Sequence, residues 1–116
     1  MRRRDLGRFG EDMACDYLVD NGYTILSRNV FTRYGEIDIV TKSRDSLIFV
    51  EVKTRAYFPE QGIREVLPIR KILKLKRAGL AYLASCGRIT RHRWELILIV
   101  INRETKIIHT MFSDFS

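Results

Sequence analysis

The sequence predicts an α/β protein: a mixed central sheet with helices packed against it, in the element order αβββαββ. Three observations predict it. Several runs rich in Val, Ile, Tyr and Phe are bounded by polar turn residues, as strands are. Two segments carry apolar residues at helical spacing. One stretch, Arg93 to Ile101, is apolar on both faces, as a covered central strand is. No Pro- or Gly-rich linker and no repeat interrupts the 116 residues, which read as one domain spanning 1–116.

Each element has its own signal. Residues 8–21 place Ala14, Cys15 and Leu18 on one helical stripe, and Gly22 stops the pattern where a C′ glycine belongs. Tyr23 to Asn29 reads as a short first strand, with Tyr23, Ile25 and Leu26 as its apolar members. Tyr34 to Thr41 and Ser46 to Thr54 read as the second and third strands, joined by a polar turn around Arg44 and Asp45. Pro59 and Gly62 mark a loop. A long helix opens at Glu65 or Pro68 and runs to about Ser85, with Ile69, Ile72, Leu73, Leu80 and Leu83 as its apolar positions. Arg93 to Ile101 is the fourth strand, 102–105 a turn, and Lys106 to Phe112 the last strand.

Charge narrows the partners. Lys and Arg outnumber Asp and Glu by 21 to 14, giving a net charge of +7. Such a balance favours a polyanion, nucleic acid before an anionic membrane. Cys15 and Cys86 fit no zinc-ligand spacing and are expected reduced. The start, Met1-Arg2-Arg3-Arg4-Asp5, has no apolar stretch after its basic residues, so no signal peptide is expected. The longest apolar run, Leu96 to Ile101, is too short to span a bilayer. A soluble, cytoplasmic protein without membrane association is the expectation.

The residues that carry chemistry lie in the second and third strands. Gly35-Glu36-Ile37-Asp38 precedes the turn, and Phe49-Val50-Glu51-Val52-Lys53 follows it. Folding the hairpin symmetrically about Arg44 and Asp45 sets Asp38 across from Glu51, and Glu36 across from Lys53. Period-two alternation puts Glu36, Asp38 and Val40 on one face with Ile37 and Ile39 on the other. Directly opposed like charges destabilise a strand pair. Two opposed acids in an apolar hairpin are what a hard cation would hold together, and Mg²⁺ takes just one or two carboxylates. Lys53, one pleat further, is placed to orient a water or to stabilise charge developing on a phosphate. Glu11 shares the stripe of Ala14, Cys15 and Leu18 and points at least partly toward the sheet, where an unpaired acid is costly.

The same residues also allow plainer readings. An E-x-D strand beside an E-x-K strand can be a salt-bridge ladder on a solvated face, and Glu36 opposite Lys53 fits that. Asp38 with Glu51 does not, because the ladder leaves two acids facing each other. An acid near a helix N-terminus, such as Glu11, is favoured by the macrodipole without any chemical duty. The basic residues cluster as well: Arg64, Arg70, Lys71, Lys74, Lys76 and Arg77 around the second helix, with Arg2, Arg3, Arg4 and Arg8 at the start. Each cluster alone is a solvated face. Beside a carboxylate site they resemble a phosphate-tracking surface, on which Arg55, just after the E-x-K, is the first candidate contact. Tyr34, Tyr57 and Phe58 are candidates to stack on bases, against packing as the plainer role.

Glu51-Val52-Lys53 begins thirteen positions after Asp38. That spacing resembles the (D/E)-x(n)-(D/E)-x-K motif of the restriction-endonuclease-like nucleases, whose core has a similar element order. Gly7-Arg8-Phe9-Gly10-Glu11, Ala14, Tyr17-Leu18, Gly22-Tyr23, Arg28-Asn29 and the segments around Asp38 and Glu51 more closely resemble the YraN family of small bacterial proteins. That family is distantly similar to archaeal Holliday-junction resolvases. The resemblance implies a restriction-endonuclease-like fold and a metal-dependent endonuclease acting on DNA, branched or single-stranded, with Mg²⁺ or Mn²⁺. It implies Glu11, Asp38 and Glu51 as metal-binding acids with the Val52 carbonyl, Lys53 as the catalytic lysine, and Lys71 as a polar residue reaching toward the site. A symmetric homodimer is compatible with it. Arg93-Trp94-Glu95 departs from the family's R-F-D-like element. The rival expectation is a nucleic-acid-binding accessory protein that keeps the fold without turnover. A third is a binder of structured RNA, marked by preference for A-form helices.

Overall fold

A computed structural model describes residues 2–87, 91–102 and, as backbone, 106–112. Helix α1 spans Arg3–Asp20, strands β1 Thr24–Thr32, β2 Gly35–Ser43 and β3 Ser46–Arg55, helix α2 Ile69–Ser85, and strands β4 Arg91–Ile101 and β5 Lys106–Phe112. The order αβββαββ is the expected one. Residues 103–105 of the turn expected at 102–105 lie outside the described residues. A short 3₁₀ turn, Ile63–Glu65, stands where only a loop was expected. Helix α1 begins five residues before the expected start, because Arg3 and Arg4 carry neither a capping signal nor an apolar stripe. It ends as expected: Gly22 at φ +88° lets its N–H reach Val19 O and the Tyr23 N–H reach Leu18 O, a Schellman closure.

Five strands form one sheet in the order β1-β2-β3-β4-β5. Neighbours are antiparallel except β3 and β4, which run parallel, with α2 as the crossover between them. Strand β4 is buried without a break from Glu95 to Val100, as its two-sided apolar sequence requires. Helix α1 covers one face, with Ala14 and Leu18 on Ile39, Ile48, Val50, Val52, Ile97 and Ile99. Helix α2 covers the other, with Ala78 and Leu83 near Ile37, Val40 and Phe49, and Ile72 near Leu96. The approach of α1 is close: a Cβ on Gly10 would run into the Thr54 side chain of β3. Trp94 Nε1 ties β4 to α2 by donating to Leu75 O at 3.1 Å.

Two expectations about faces are corrected. Only Ile72 and Leu83 of the expected apolar positions in α2 are buried, whereas Ile69, Leu73 and Leu80 are exposed. The sheet instead takes Ile72, Leu75, Ala78, Gly79 and Leu83, because the helix is apolar over more than one face and packing chose the arc. Strict alternation also puts Ile37 beside Ile39. The structure sends Ile39 under α1 and Ile37 under α2, so alternation breaks at Asp38. No helix among the described residues is long and apolar enough to cross a membrane.

Candidate active site

The β2–β3 hairpin keeps the symmetric register from Ser43↔Ser46 to Ile39↔Val50, and then the two strands part. Strand β2 continues with β1 to the Thr32↔Gly35 pair, while β3 continues with β4 to Arg55↔Val100. Asp38 and Glu51 stand at this fork. They are not closed into a ladder pair. Asp38 Oδ2 accepts the Val52 N–H at 2.8 Å, so a side chain takes the hydrogen bond that the departing strand gives up. On the other side of β2, Asn29 is at φ +52°, a conformation Asn tolerates better than most residues. Its placement between Arg28↔Ile39 and Val30↔Ile37 coincides with the break in alternation.

The fork opens into a cleft of about 920 Å³ between the N-terminal ends of α1 and α2, with Asp38, Glu51 and Val52 in its wall. Burial, and then the charge of Glu51, push the Asp38 carboxyl up to about 8, against the pull of the Val52 N–H. Burial raises Glu51 as well, with the Lys53 ammonium pulling the other way. The two acids thus resist being charged together. Lys53 Nζ sits 3.2 Å from Glu51 Oε1, its neighbour two residues away in the same strand. The expected Glu36–Lys53 ladder is therefore corrected: once the strands part, Lys53 faces Glu51, and Glu36 Oε1 accepts from Asn29 Nδ2 at 2.9 Å.

Cations line the rest. Lys53, Arg55, Lys71 and Arg3 share the cleft with the acids. Lys53 lowers the pKa of Lys71 by charge and hydrogen bonding, which places two ammonium groups side by side. Neither helix has a side-chain cap at the end it turns toward the cleft; Arg70 and Lys71 stand in the first turn of α2 with no acid, and Arg3 and Arg4 in that of α1 beside Asp5. A cation there opposes the macrodipole at a cost of about 0.3–1 kcal/mol each. An anion in the cleft would offset that cost, above all for α2, whose first turn holds no acid.

Glu11 lines the same cleft from α1, half-buried, with Oε1 accepting from Asn29 Nδ2 at 3.0 Å and lying 3.7 Å from Arg28 Nη2. Asn29 therefore bridges Glu11 and Glu36. The sequence pattern did not single it out as a site residue; its place in the Arg28-Asn29 pair of the family resemblance is the available signal. Lys74 lines an adjoining cavity with Arg70 and Lys71. Arg8 is exposed on α1 and lies outside the cleft lining, in which Arg3 takes part. Tyr34 is half-buried, and Tyr57 and Phe58 are exposed.

A model of the Uncharacterised protein family UPF0102 matches residues 10–99, a span that holds Glu11, Asp38, Glu51, Lys53 and Lys71. The chain belongs to this family. UPF0102 is the YraN family and is placed in the restriction-endonuclease-like superfamily. A UPF0102 protein of Syntrophomonas wolfei is 47% identical over 85 residues, covering 73% of this chain and 74% of its own length. One from Moorella thermoacetica is 36% identical over 108 residues, 92% of this chain and 90% of its own. A third, from Desulforapulum autotrophicum, is 37% identical over 99 residues, 84% and 82% of the two chains. The αβββαββ order and the mixed sheet are compatible with a nuclease-like α/β fold.

Proposed function

We propose that this chain is a metal-dependent nuclease that hydrolyses phosphodiester bonds in DNA. The observation that supports this most is the pair Asp38 and Glu51, each made harder to ionise by burial, opening onto a cleft rimmed with cations. Groups that repel each other in this way suit a dication, and an oxygen-only donor set suits Mg²⁺ or Mn²⁺. Among the described residues no three His, Cys, Asp or Glu side chains group closely enough to enclose a metal ion. Mg²⁺ fits that: it takes one or two carboxylates and keeps water and phosphate oxygens. Asp38 and Glu51 would hold it, with the Val52 carbonyl as a further oxygen and Glu11 beyond them. When bound, such an ion polarises a phosphate and acidifies a water.

The chain's own residues divide the remaining work. The Val52 N–H fixes the orientation of the Asp38 carboxylate. Lys53 presents a proton beside the acids, where charge develops as the phosphorus–oxygen bond breaks. Arg55 and Lys71 would neutralise neighbouring phosphates, with Lys74 and Arg8 extending the contact along the strand. The test is cleavage of labelled single-stranded, duplex, flap and four-way-junction DNA with Mg²⁺, Mn²⁺ or EDTA. Metal-dependent cutting by wild type, lost in Asp38→Asn and Lys53→Ala, is the expected result. An Asp38→Asn protein that cuts as well as wild type would falsify the reading. Salt-sensitive binding without cutting by all three proteins would favour an accessory DNA-binding role instead.

A further inference from the structure

Beside the acid cleft is a second cavity, whose apolar walls the reaction above does not use. It measures about 460 Å³ and lies between the β1–β2 turn and the first half of α2. This is within the roughly 300–1,000 Å³ range of sites that enclose small organic groups. It shares Glu36, Glu51 and Lys71 with the acid cleft, so the two spaces are continuous. Their linings differ in kind. The acid cleft exposes mainly polar surface, whereas this cavity exposes more apolar than polar surface, with Tyr34 and Leu75 as walls, Arg70, Lys71 and Lys74 around it, and the carboxylates Glu36 and Glu51 where it meets the cleft. The Tyr34 ring is held in place: it packs against the Ile37–Phe49 cluster, the Arg33 guanidinium lies 4.9 Å over the ring, and Arg33 Nη2 donates to its hydroxyl at 2.7 Å.

A phosphate gains nothing from apolar walls, and an apolar ligand gains nothing from three cations. A nucleotide needs both. We infer that this cavity receives one unpaired nucleobase of a DNA strand, with the flanking phosphates on Arg70, Lys71 and Lys74 and the neighbouring backbone running past Glu51. A paired base cannot enter, since its faces and edges are taken by the duplex. The substrate class is thus DNA with an unstacked nucleotide next to the acid pair. This rests on the nuclease reading of the adjoining cleft, but its test does not depend on cleavage.

The test compares three DNAs in EDTA: a duplex with one bulged thymidine, the same duplex with an abasic residue at the bulge, and a fully paired duplex. Wild type should bind the bulged thymidine about tenfold more tightly than the other two, the scale of one stacked base. Tyr34→Ala should lose that ratio. As Tyr34 also packs against the core, a second measurement needs no variant. A 5-iodouracil placed at the bulge and irradiated on wild type should attach to the peptide that holds Tyr34. Equal affinity for the thymidine and abasic bulges, or attachment elsewhere, would overturn the inference. Discrimination by a protein that cuts no DNA would uphold the pocket and count against the nuclease. Cutting without discrimination would do the reverse.

Discussion

Two places in this sheet bury carboxylates, and they solve the problem in opposite ways. Glu95 on β4 is 1% exposed and sits in a closed triad. Its Oε1 accepts from Tyr23 Oη at 2.8 Å and from Arg93 Nε at 3.2 Å, and Arg93 Nη2 also donates to Tyr23 Oη at 3.2 Å. One negative charge meets one positive charge, and the carboxylate is sealed from solvent while Arg93 reaches the surface. Asp38 and Glu51 set two carboxylates against each other, with the Lys53 ammonium 3.2 Å from Glu51 Oε1 and the charge of Lys71 acting on Glu51 as well, and they face an open cleft. Depth of burial therefore does not tell the two arrangements apart. Repulsion between neighbouring acids and access to solvent do.

The largest effect expected from this contrast is on activity. Asp38→Asn keeps an oxygen for the Val52 N–H and removes a repelled charge. Cleavage should fall at least about a hundredfold, the scale of losing one main electrostatic group. Thermal stability without metal should stay level or rise. Glu95→Ala should do the opposite: a loss of about 2–3 kcal/mol in chemical denaturation, from a cavity and an orphaned Tyr23–Arg93 pair, with cleavage retained by the folded fraction. If Asp38→Asn unfolds the protein while Glu95→Ala leaves it as stable as wild type, the contrast is wrong.

The acid pair also sets a pH dependence with a definite sign. The ordinary value for an Asp carboxyl is 3.8, and in the fold Asp38 is pushed up to about 8. Below the lower value both folded and unfolded chains hold the proton, and folding bears no penalty. Between the two values the folded chain binds a proton that the unfolded chain releases, so stability falls as pH rises through that window. Metal-free protein should melt at a higher temperature near pH 5 than near pH 8. Added Mg²⁺ binds the ionised pair, so the rise in Tm that it brings should be larger at pH 8 than at pH 5. Thermal scans at the two pH values, with EDTA or Mg²⁺, read this directly. Equal Tm gains at both values would count against a cation on this pair.

Much of this geometry is legible in the amino-acid sequence. The hairpin register follows from period-two alternation and a polar turn centred on Arg44 and Asp45, and it holds as far as Ile39↔Val50. The buried run of β4 follows from its two-sided apolar sequence. The fork itself is not legible. Whether Asp38 closes on Glu51 depends on which strand each half of β2 and β3 prefers, a competition between non-local pairings that local pattern does not encode. The partner of Lys53 changes with it. The buried arc of α2 is hidden for a related reason: Ile69, Leu73 and Leu80 fit helical spacing as well as Leu75 and Gly79 do, and only the sheet decides between them.

Packing between α1 and β3 offers a test of how Glu11 reaches the cleft. A methyl on Gly10 collides with the Thr54 side chain, so Gly10→Ala must move α1 or rotate Thr54. The expected loss is about 1–3 kcal/mol in urea denaturation, as for overpacking elsewhere. Adding Thr54→Ala should recover most of it, because that change removes Oγ1, the atom the new methyl meets most closely, and Cγ2. If Glu11 serves the acid pair by position, Gly10→Ala should also weaken Mg²⁺ binding, and the double variant should restore it. Recovery of stability without recovery of metal affinity would detach Glu11 from the site.

The smallest expected effect falls on the closed triad. Tyr23→Phe removes the hydroxyl that donates to Glu95 and accepts from Arg93, leaving Glu95 Oε1 with Arg93 Nε at 3.2 Å. The other oxygen, Oε2, is already buried without a partner among the described residues, so nothing nearby compensates. A loss of about 1 kcal/mol is expected, the usual net worth of one hydrogen bond. In a Glu95→Ala background the hydroxyl has no carboxylate to serve, and the same substitution should cost clearly less. That non-additivity, read from a double-mutant cycle, measures the coupling within the triad. Cleavage and the Mg²⁺-induced Tm shift should not change with Tyr23→Phe. A change in either would mean that the triad reaches the acid pair, and the division between a sealed structural carboxylate and an open functional pair would have to be withdrawn.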